Sequence, residues 1–281
     1  MRRPPRAFLF VFSLIASAWV GGVAHAETVY YFSVLNQRSP MLTAEYWNPI
    51  LAYVSKKAGV DLRLKMGKTA PETTALTMRG EAQFAYTNHL FLPDRVKLGW
   101  RVLARPDTDG IRGQIVVLAG SAITRLEDLE GQQVAFPSAE AFAGYQVPMD
   151  ALLRRRIEVK AVFAGNQEGA MGQLKVGKVA AAGVNEDVMA AFSAREKFPY
   201  RVLWSSEKFM DLPVMVSPTV PAAVADAVAR AFVGMRSDPE GKRILAEGAA
   251  LLRLDRPVGF LPSDDRDYAN CREFYRNSLV K

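Results

Sequence analysis

The sequence contains almost none of the residues on which disulfide frameworks and metal-dependent catalysis depend. Among 281 residues there is one cysteine, Cys271, and there are two histidines, His25 and His89. A single cysteine cannot form an internal disulfide, so the fold has to be stabilised by a hydrophobic core. The pattern around Cys271 predicts a thiol on the buried face of a helix, and a reactive or metal-binding thiol is the alternative.

The motifs of the common enzyme classes are also missing. The chain has no G-x-S-x-G, H-E-x-x-H or C-x-x-C, and no nucleophile has a partner histidine. Residues 172–179 fit G-x-x-x-x-G-K, but Val179 stands where a phosphate-binding loop needs serine or threonine. The adjacent acids of Asn185-Glu186-Asp187 lack a spaced third ligand and indicate a helix cap. We therefore predict a protein that is not an enzyme and has neither a cofactor nor a metal; an enzyme on the same scaffold is the alternative.

A long uninterrupted hydrophobic run occurs only near the N-terminus. Three arginines precede the apolar stretch 7–20, and Ala24 and Ala26 form an A-x-A cleavage pattern. This arrangement predicts that residues 1–26 are a cleavable signal peptide and that the protein is periplasmic. A membrane anchor is the alternative, although about 14 apolar residues fall short of the roughly 20 that span a bilayer.

Without residues 1–26, basic residues outnumber acidic ones only slightly. Residues 1–26 hold three of the 36 basic residues and none of the 29 acidic ones, which leaves a net charge of +4. Such a mild excess can attract anions but does not require nucleic acid. We expect no nucleic-acid partner.

What the chain does have is an alternation of strand and helix patterns. Strands are predicted at 28–34, 60–66, 82–86, 111–118, 133–136, 160–163, 179–184 and 200–204, and helices at 40–58, 70–80, 143–156, 168–175, 220–235, 239–248 and 264–278. Pro49 lies inside the first helix, so we expect a kink there or a restart capped by Asn48. Repeated strand–helix units predict an α/β fold with mainly parallel sheets flanked by helices.

Several motifs together resemble one known family. These stretches are YFSVLNQRS, GEAQFAYTNHLFL, ITRLEDLEGQQVAF and FAGNQEGAMGQLKVGKVAAAGV. They are similar to the phosphate/phosphite/phosphonate-type substrate-binding proteins of ABC transporters, which have the type 2 periplasmic binding protein fold. The resemblance implies a monomer with a ligand cleft between lobe 1, residues 27–114 plus 213–281, and lobe 2, residues 115–212. It also implies chain crossings near Gln114 and Pro213.

One loop departs from the pattern of that family. Where the family has a Ser-x-Ser-Gly cluster around its anion, this sequence has Ala141, Phe142, Ala143 and Gly144. A dianion stripped of water needs several charge-assisted hydrogen bonds. The departure therefore favours a less charged or partly apolar ligand.

The candidate ligand-binding side chains share a position at the carboxyl ends of predicted strands, where ligands of such sheets bind. They are Asn36, Arg38, Ser39, Tyr86, Thr87, Asn88, His89, Glu140, Phe142, Gln167 and Asn185. Arg38 is the candidate partner of a carboxylate or oxyanion. For Asn36 and Ser39 the alternative is helix capping, for Glu140 it is a favourable place in a helix dipole, and for His89 it is packing.

These observations predict a periplasmic solute-binding protein. It would capture a small oxyanion or organic-acid-like solute, close by a hinge motion and dock on the membrane permease of an ABC importer. The alternative is a sensory protein whose closed form docks on a membrane histidine kinase. Loss of the loop hydroxyls favours that alternative.

Overall fold

In the computed structural model, which describes Met1 and residues 28–280, eleven strands form two sheets. The predicted signal peptide lies almost entirely outside the described residues. The strands are β1 (Val29–Val34), β2 (Asp61–Leu64), β3 (Phe84–Tyr86), β4 (Arg101–Pro106), β5 (Gly113–Leu118), β6 (Gln133–Phe136), β7 (Lys160–Phe163), β8 (Ala181–Asn185), β9 (Tyr200–Ser205), β10 (Val214–Val216) and β11 (Phe260–Pro262). The α-helices are α1 (Pro40–Ala58), α2 (Ala70–Met78), α3 (Val147–Arg154), α4 (Gln167–Lys175), α5 (Glu186–Glu196), α6 (Ala222–Gly234), α7 (Pro239–Leu252) and α8 (Ala269–Asn277).

Both sheets are mixed, so the prediction of mainly parallel sheets was wrong in this detail. The first sheet has the order β11-β4-β10-β3-β1-β2, and the second has the order β7-β6-β8-β5-β9. Strand β1 is parallel to β2 and β3, and β6 is parallel to β7 and β8. By contrast, β10 is antiparallel to β3, and β5 is antiparallel to β8. The chain reaches both β10 and β5 from the other sheet. Each of these strands therefore begins at the edge where the neighbouring parallel strands end, and it runs in the opposite direction.

Two connections carry the chain between the sheets, and we call them the crossing segments. Residues 107–112 lead from β4 to β5, and residues 206–213 lead from β9 to β10. The segments pair with each other, because Ile111 N donates to Phe209 O at 2.7 Å and Phe209 N donates to Ile111 O at 2.9 Å. Gly110 has φ +94°, and a Cβ there would lie 2.5 Å from Phe209 O. Glycine is therefore required at this close approach.

Each sheet is covered by helices and has its own core, as the α/β prediction requires. In the first lobe Phe32, Trp47 and Phe232 lie in one buried cluster, and α1 packs against α6 and α7. In the second lobe one cluster joins the sheet to α4 and α5, and another joins it to α3. The fold is therefore two sheets flanked by helices, one in each lobe.

The lobe boundaries drawn from the sequence can be placed on this fold. Residue 114 falls inside β5, and residue 213 directly precedes β10. The last residues of the chain contact lobe 2, since Leu279 N donates to Asp150 Oδ1 at 2.7 Å and Arg154 donates to Asn277 O at 2.8 Å. The sequence boundaries assign these terminal residues to lobe 1, and the limits of the lobes remain a proposal.

Helix α1 is continuous through Pro49, so the predicted restart at Asn48 was wrong. Its N-terminus has the predicted cap, because Ser39 Oγ accepts a hydrogen bond from Leu42 N at 3.3 Å and Pro40 follows. Pro49 is exposed, so the carbonyl left without an amide partner can be hydrated. The apolar residues around it face the core, where Trp47 is only 5% exposed.

Candidate ligand-binding site

Two adjoining cavities lie between the sheets, at the carboxyl ends of the parallel strands. The outer cavity has a volume of about 630 Å³, including space open to solvent, and is lined by Gln37, Arg38, Tyr46, Trp47, Tyr86, Pro106, Thr108, Asn185, Asp187, Val188, Asp211, Leu252, Leu254, Val258 and Phe260. The inner cavity has a volume of about 360 Å³, measured in the same way, and is lined by Leu35, Asn36, Gln37, Ala70, Asn88, His89, Ile111, Pro137, Ala141, Phe142, Ala143, Gln167, Asn185 and Leu212. Gln37 and Asn185 line both cavities, so the two are parts of one cleft.

Arg38 projects into the outer cavity from the turn between β1 and α1. Its side chain is half-buried, and its guanidinium has neither a hydrogen bond nor an ion pair within residues 28–280. Burial lowers the pKa of Arg38, although the charge of Glu168 and Asp211 and the hydroxyls of Tyr46 and Tyr86 oppose this shift. A cation that is partly removed from water and has no partner is costly, so this group is available to an anion.

Two tyrosine hydroxyls lie close to that guanidinium. Tyr46 is on α1 and Tyr86 ends β3, and neither hydroxyl is hydrogen-bonded to any described residue. Burial raises the pKa of both tyrosines, and the Asp211 charge raises it further. Both therefore stay protonated and can donate a hydrogen bond to a ligand. Trp47 packs on Tyr86 with ring centroids 4.7 Å apart.

Asp211, on the second crossing segment, is one of two acidic side chains that line this cavity together with Arg38, and Asp187 is the other. Its Oδ1 accepts a hydrogen bond from Leu212 N at 2.7 Å, while its other oxygen has no partner in the described structure. Burial raises the pKa of Asp211 to about 7, against the lowering effect of the Leu212 hydrogen bond. The nearby charge of Asp187 raises this pKa further, and that of Arg38 lowers it.

The inner cavity is built mostly from side chains that other parts of the protein already hold. Asn36 donates to Gly67 O at 2.9 Å and accepts from Thr73 Oγ1 at 2.5 Å. Asn185 caps α5 by accepting from Asp187 N at 2.9 Å, and Gln167 Oε1 accepts from Asn185 N at 3.1 Å. The amide groups of Asn36 and Asn185 therefore have structural roles. Asn185 caps a helix, whereas the cap of α1 is Ser39, so the capping alternative for Asn36 was wrong.

Glu140 lies beside the cavities and is bound by Arg95 and His89. Arg95 donates to both of its oxygens, and His89 Nδ1 lies 3.3 Å from Oε2 and 2.8 Å from Thr74 Oγ1. Burial alone would raise the pKa of Glu140, but hydrogen bonds from His89 and Arg95, with the charge of Arg95, lower it to about 2. Burial lowers the pKa of His89, which favours neutral imidazole. This carboxylate is therefore already paired.

Phe142 is a packing residue as well as a wall of the inner cavity. Its ring lies 4.8 Å from Phe209 and 5.2 Å from Phe274, between centroids, and only 2% of the residue is exposed. It begins a π-helical turn, Phe142–Gln146, that leads into α3. The aromatic residue in the departing loop thus joins lobe 2 to α8.

The structure brings together some of the predicted site residues and separates others. Arg38, Tyr86 and Asn185 line the outer cavity. Those on the inner cavity are Asn36, Asn88, His89, Phe142, Gln167 and Asn185. Ser39, Thr87 and Glu140 line neither cavity: Ser39 caps α1, and Thr87 Oγ1 accepts a hydrogen bond from His89 N.

Several lining residues were not among the sequence candidates. Tyr46 and Trp47 fit the apolar pattern of α1, and the sequence gives no further sign that they reach a cavity. Asp211 lies near the predicted crossing at Pro213 and was not a candidate ligand-binding residue. Leu252 and Phe260 reach the site from α7 and β11, more than 190 residues after β1, so only the tertiary fold places them there.

Within residues 28–280, no three histidine, cysteine, aspartate or glutamate side chains are grouped in a way that could hold a metal ion. None of the helices described has the length and hydrophobicity to cross a membrane. The buried thiol of Cys271 has a pKa raised to about 12 by its burial, so it is not a reactive thiolate at neutral pH.

Solved structures of known proteins share this fold. PhnD1 from Prochlorococcus marinus (MIT 9301), in complex with methylphosphonate, matches with a TM-score of 0.73 and 14% identity, over 88% of this chain and 97% of that chain. A binding protein component of an ABC phosphonate transporter from Pseudomonas aeruginosa matches with a TM-score of 0.75 and 16% identity, over 88% and 85%. The substrate-binding protein of an amino acid ABC transporter matches with a TM-score of 0.53 and 16% identity, over 78% and 98%. At these identities the likeness is one of fold, and it confirms the type 2 periplasmic binding protein architecture.

No curated protein is similar enough in sequence to match this chain. A family model does match it: the model described as "ABC transporter, phosphonate, periplasmic substrate-binding protein" covers residues 32–268. That span includes all of both sheets except the first residues of β1, together with both crossing segments and both cavities. The chain belongs to the phosphonate-type family of periplasmic substrate-binding proteins of ABC transporters.

Proposed function

We propose that this protein binds a small oxyanion or organic-acid-like solute in the outer cavity and delivers it to an ABC importer. The observation that carries the proposal is the half-buried guanidinium of Arg38, which no described residue pairs. An anionic ligand would supply the missing charge-assisted hydrogen bonds, and Tyr46 and Tyr86 offer hydroxyl donors beside it. The acid group is therefore bound at the end of the cavity near β1 and β3.

The departing loop supports an organic ligand over a bare phosphate dianion. It contributes Pro137, Ala141, Phe142 and Ala143 to the inner cavity, and all four side chains are apolar. The outer cavity adds apolar groups from α7 and β11. A solute with one acid group and an apolar body fits this mixture better than an ion that needs polar contacts on every side.

Delivery would follow the family's transport role. In this proposal the signal peptide 1–26 is removed, the monomer works in the periplasm, and the lobes close on the ligand about the crossing segments. The closed form would then dock on the permease subunits of an importer. The sensor alternative differs only in the docking partner, so binding of the loaded protein to a permease or to a histidine kinase distinguishes them.

Thermal unfolding of residues 27–281 with a panel of carboxylates, sulfonates, phosphonates and phosphate tests the binding site. A ligand at about a hundred times its dissociation constant should add roughly 2.7 kcal/mol of stability, which raises Tm by several degrees. Arg38→Gln should remove the shift, whereas Arg230→Gln, at an exposed position on α6, should keep it. An unchanged shift in the Arg38 variant, or no shift with any anion, would contradict the proposal.

A further inference from the structure

Residues 263–280 run from one lobe to the other, and we call them the C-terminal strap. They follow β11, at the edge of the first sheet, and they end against α3, which packs on the second sheet. The two crossing segments also join the lobes, but each of them continues into a strand at both ends. The strap is attached through the chain at one end only, so its other end can leave the surface that it contacts.

The beginning of the strap is held by buried contacts with lobe 1 and the second crossing segment. Tyr268 and Cys271 are fully buried and share a core cluster with Phe91. The ring of Tyr268 lies 5.0 Å from that of Phe91, between centroids, and its hydroxyl donates to Asp211 O at 2.7 Å. The guanidinium of Arg272 lies over the Phe91 ring, 4.7 Å from its centroid. Breaking these contacts would expose apolar surface to water, so this end of the strap stays with lobe 1.

The end of the strap is held on lobe 2 mainly by polar contacts near the surface. Asp150 Oδ1, on α3, accepts a hydrogen bond from Leu279 N at 2.7 Å, and Arg154 donates to Asn277 O at 2.8 Å. Val280 adds an apolar contact with the core of lobe 2, and Leu279 is 48% exposed. Water can replace hydrogen bonds that lie near the surface, so this end costs less to detach than the beginning of the strap.

Between the two ends, Phe274 and Tyr275 of α8 pack on Phe142 of lobe 2. The ring centroids of Phe274 and Tyr275 lie 5.2 Å and 5.3 Å from that of Phe142. The hydroxyl of Tyr275 is buried there and has no hydrogen-bond partner among the described residues. Burying a hydroxyl without a partner costs free energy, which hydration would recover. The contact of α8 with lobe 2 therefore has a favourable apolar part and an unfavourable polar part.

From these contacts we infer that the C-terminal strap is a latch, whose end binds α3 and Phe142 when the lobes are closed and detaches when they open. This inference takes the hinge motion of the lobes from the proposed function. A hinge motion about the crossing segments moves the beginning of the strap with lobe 1, so its contacts with lobe 2 are the ones that break. Until they break, these contacts stabilise the closed arrangement in the ligand-free protein.

Distances between spin labels on the two lobes, measured in ligand-free protein by double electron–electron resonance, test the latch. The labels are attached at Asp226→Cys on α6 and Lys178→Cys before β8, both exposed positions, while the thiol of Cys271 is buried and does not take a label. Removal of residues 278–281 should shift molecules from the shorter to the longer label separation. The ratio of open to closed molecules should rise about fivefold, the effect of one or two lost hydrogen bonds. Asp150→Ala should give the same shift.

Two further variants distinguish a latch from a general loss of stability. Tyr275→Phe removes the buried hydroxyl and keeps the ring, so it should shift molecules toward the shorter separation. Asp128→Ala is the matched control for Asp150→Ala, because the hydrogen bonds that Asp128 accepts from Thr124 N and Arg125 N stay within lobe 2. This control should have the label separations of the wild type.

Wild-type label separations in both the truncated protein and Asp150→Ala would overturn the latch, and so would an equal shift in Asp128→Ala. If Asp150→Ala does not fold, the truncated protein and Tyr275→Phe decide the question, since their shifts are expected in opposite directions. The measurement uses no ligand, so its failure would leave Arg38 as an anion site. Failure of the anion panel with Arg38→Gln would contradict the proposed function and leave the label separations unaffected.

Discussion

At the scale of single residues, the ion pair between Glu140 and Arg95 should make stability depend on acid pH. The pKa of Glu140 is lowered to about 2, so its ionised form stabilises the fold above its ordinary pKa of 4.5. That contribution should be lost as pH falls from about 4.5 toward 2. Glu140→Gln should cost roughly 1–3 kcal/mol at pH 7, because Arg95 and His89 lose a charged acceptor. Urea unfolding at pH 7 and pH 3 measures both effects.

Glu207→Gln is the matched control, because Glu207 is exposed and its carboxylate has no hydrogen bond or ion pair with a described residue. This control should unfold like the wild type at both pH values. The difference between Glu140→Gln and wild type should shrink at pH 3. A difference that stays the same at both pH values would contradict an ionic role for Glu140.

Residue types could be predicted better than their pairings. The position of Arg38 after a strand was sufficient to nominate it as an anion partner, and the structure places it in a cavity. The ion pair of Glu140 with Arg95 could not be predicted, because Arg95 lies 45 positions earlier and reaches Glu140 only in the folded chain. Asp211 was missed for the same reason. It lies far from Arg38 in the sequence, and only the folded chain places both side chains in one cavity.

At the scale of elements, most strands and helices were predicted, including short strands such as β3, β6 and β7, whereas β4, β10, β11 and α5 were missed. The hydrophobic patterns identified β1, β5 and α1 to within a few residues. The three-residue strands β10 and β11 are too short for a pattern of their own. They are held by pairing with strands distant in the sequence: β10 lies between β3 and β4, and β11 pairs with β4. The antiparallel direction of β10 follows from the route of the chain between the lobes, which local sequence does not encode.

The crossing segments should be sensitive to a single methyl group at Gly110. Gly110→Ala forces an alanine to φ +94° and places its Cβ 2.5 Å from Phe209 O, so the paired segments must separate or strain. We expect a loss of about 1–3 kcal/mol and a lower Tm. Ligand affinity should also fall, because Asp211 lies two residues beyond Phe209. Gly120→Ala is the control, since a Cβ there meets nothing within 4 Å; equal effects of the two substitutions would contradict this explanation.

At the scale of the whole molecule, polar contacts hold the two lobes together beside the cavities. Glu168 at the start of α4 accepts from Ser39 N at 2.9 Å and from Arg195 at 2.6 Å, and its own N–H donates to Gln37 O at 3.2 Å. Nearby, Ala70 N donates to Gly165 O at 3.1 Å. These contacts join residues of the protein itself, so they stabilise the arrangement in which the two lobes touch. The ligand then has to supply less free energy to close the lobes than it would if the lobes made no contact with each other.

Removing the Glu168 side chain should therefore favour opening of the lobes. Glu168→Ala deletes the acceptor for Ser39 N, so the ligand-free protein should show a larger radius of gyration in small-angle X-ray scattering, and saturating ligand should restore the smaller value. The apparent affinity should weaken several-fold, because only the closed fraction binds productively. Glu196→Ala is the control, since the ion pair of Glu196 with Lys175 lies within lobe 2. If both variants scatter like the wild type, contacts between the lobes other than those of Glu168 must determine the closed state.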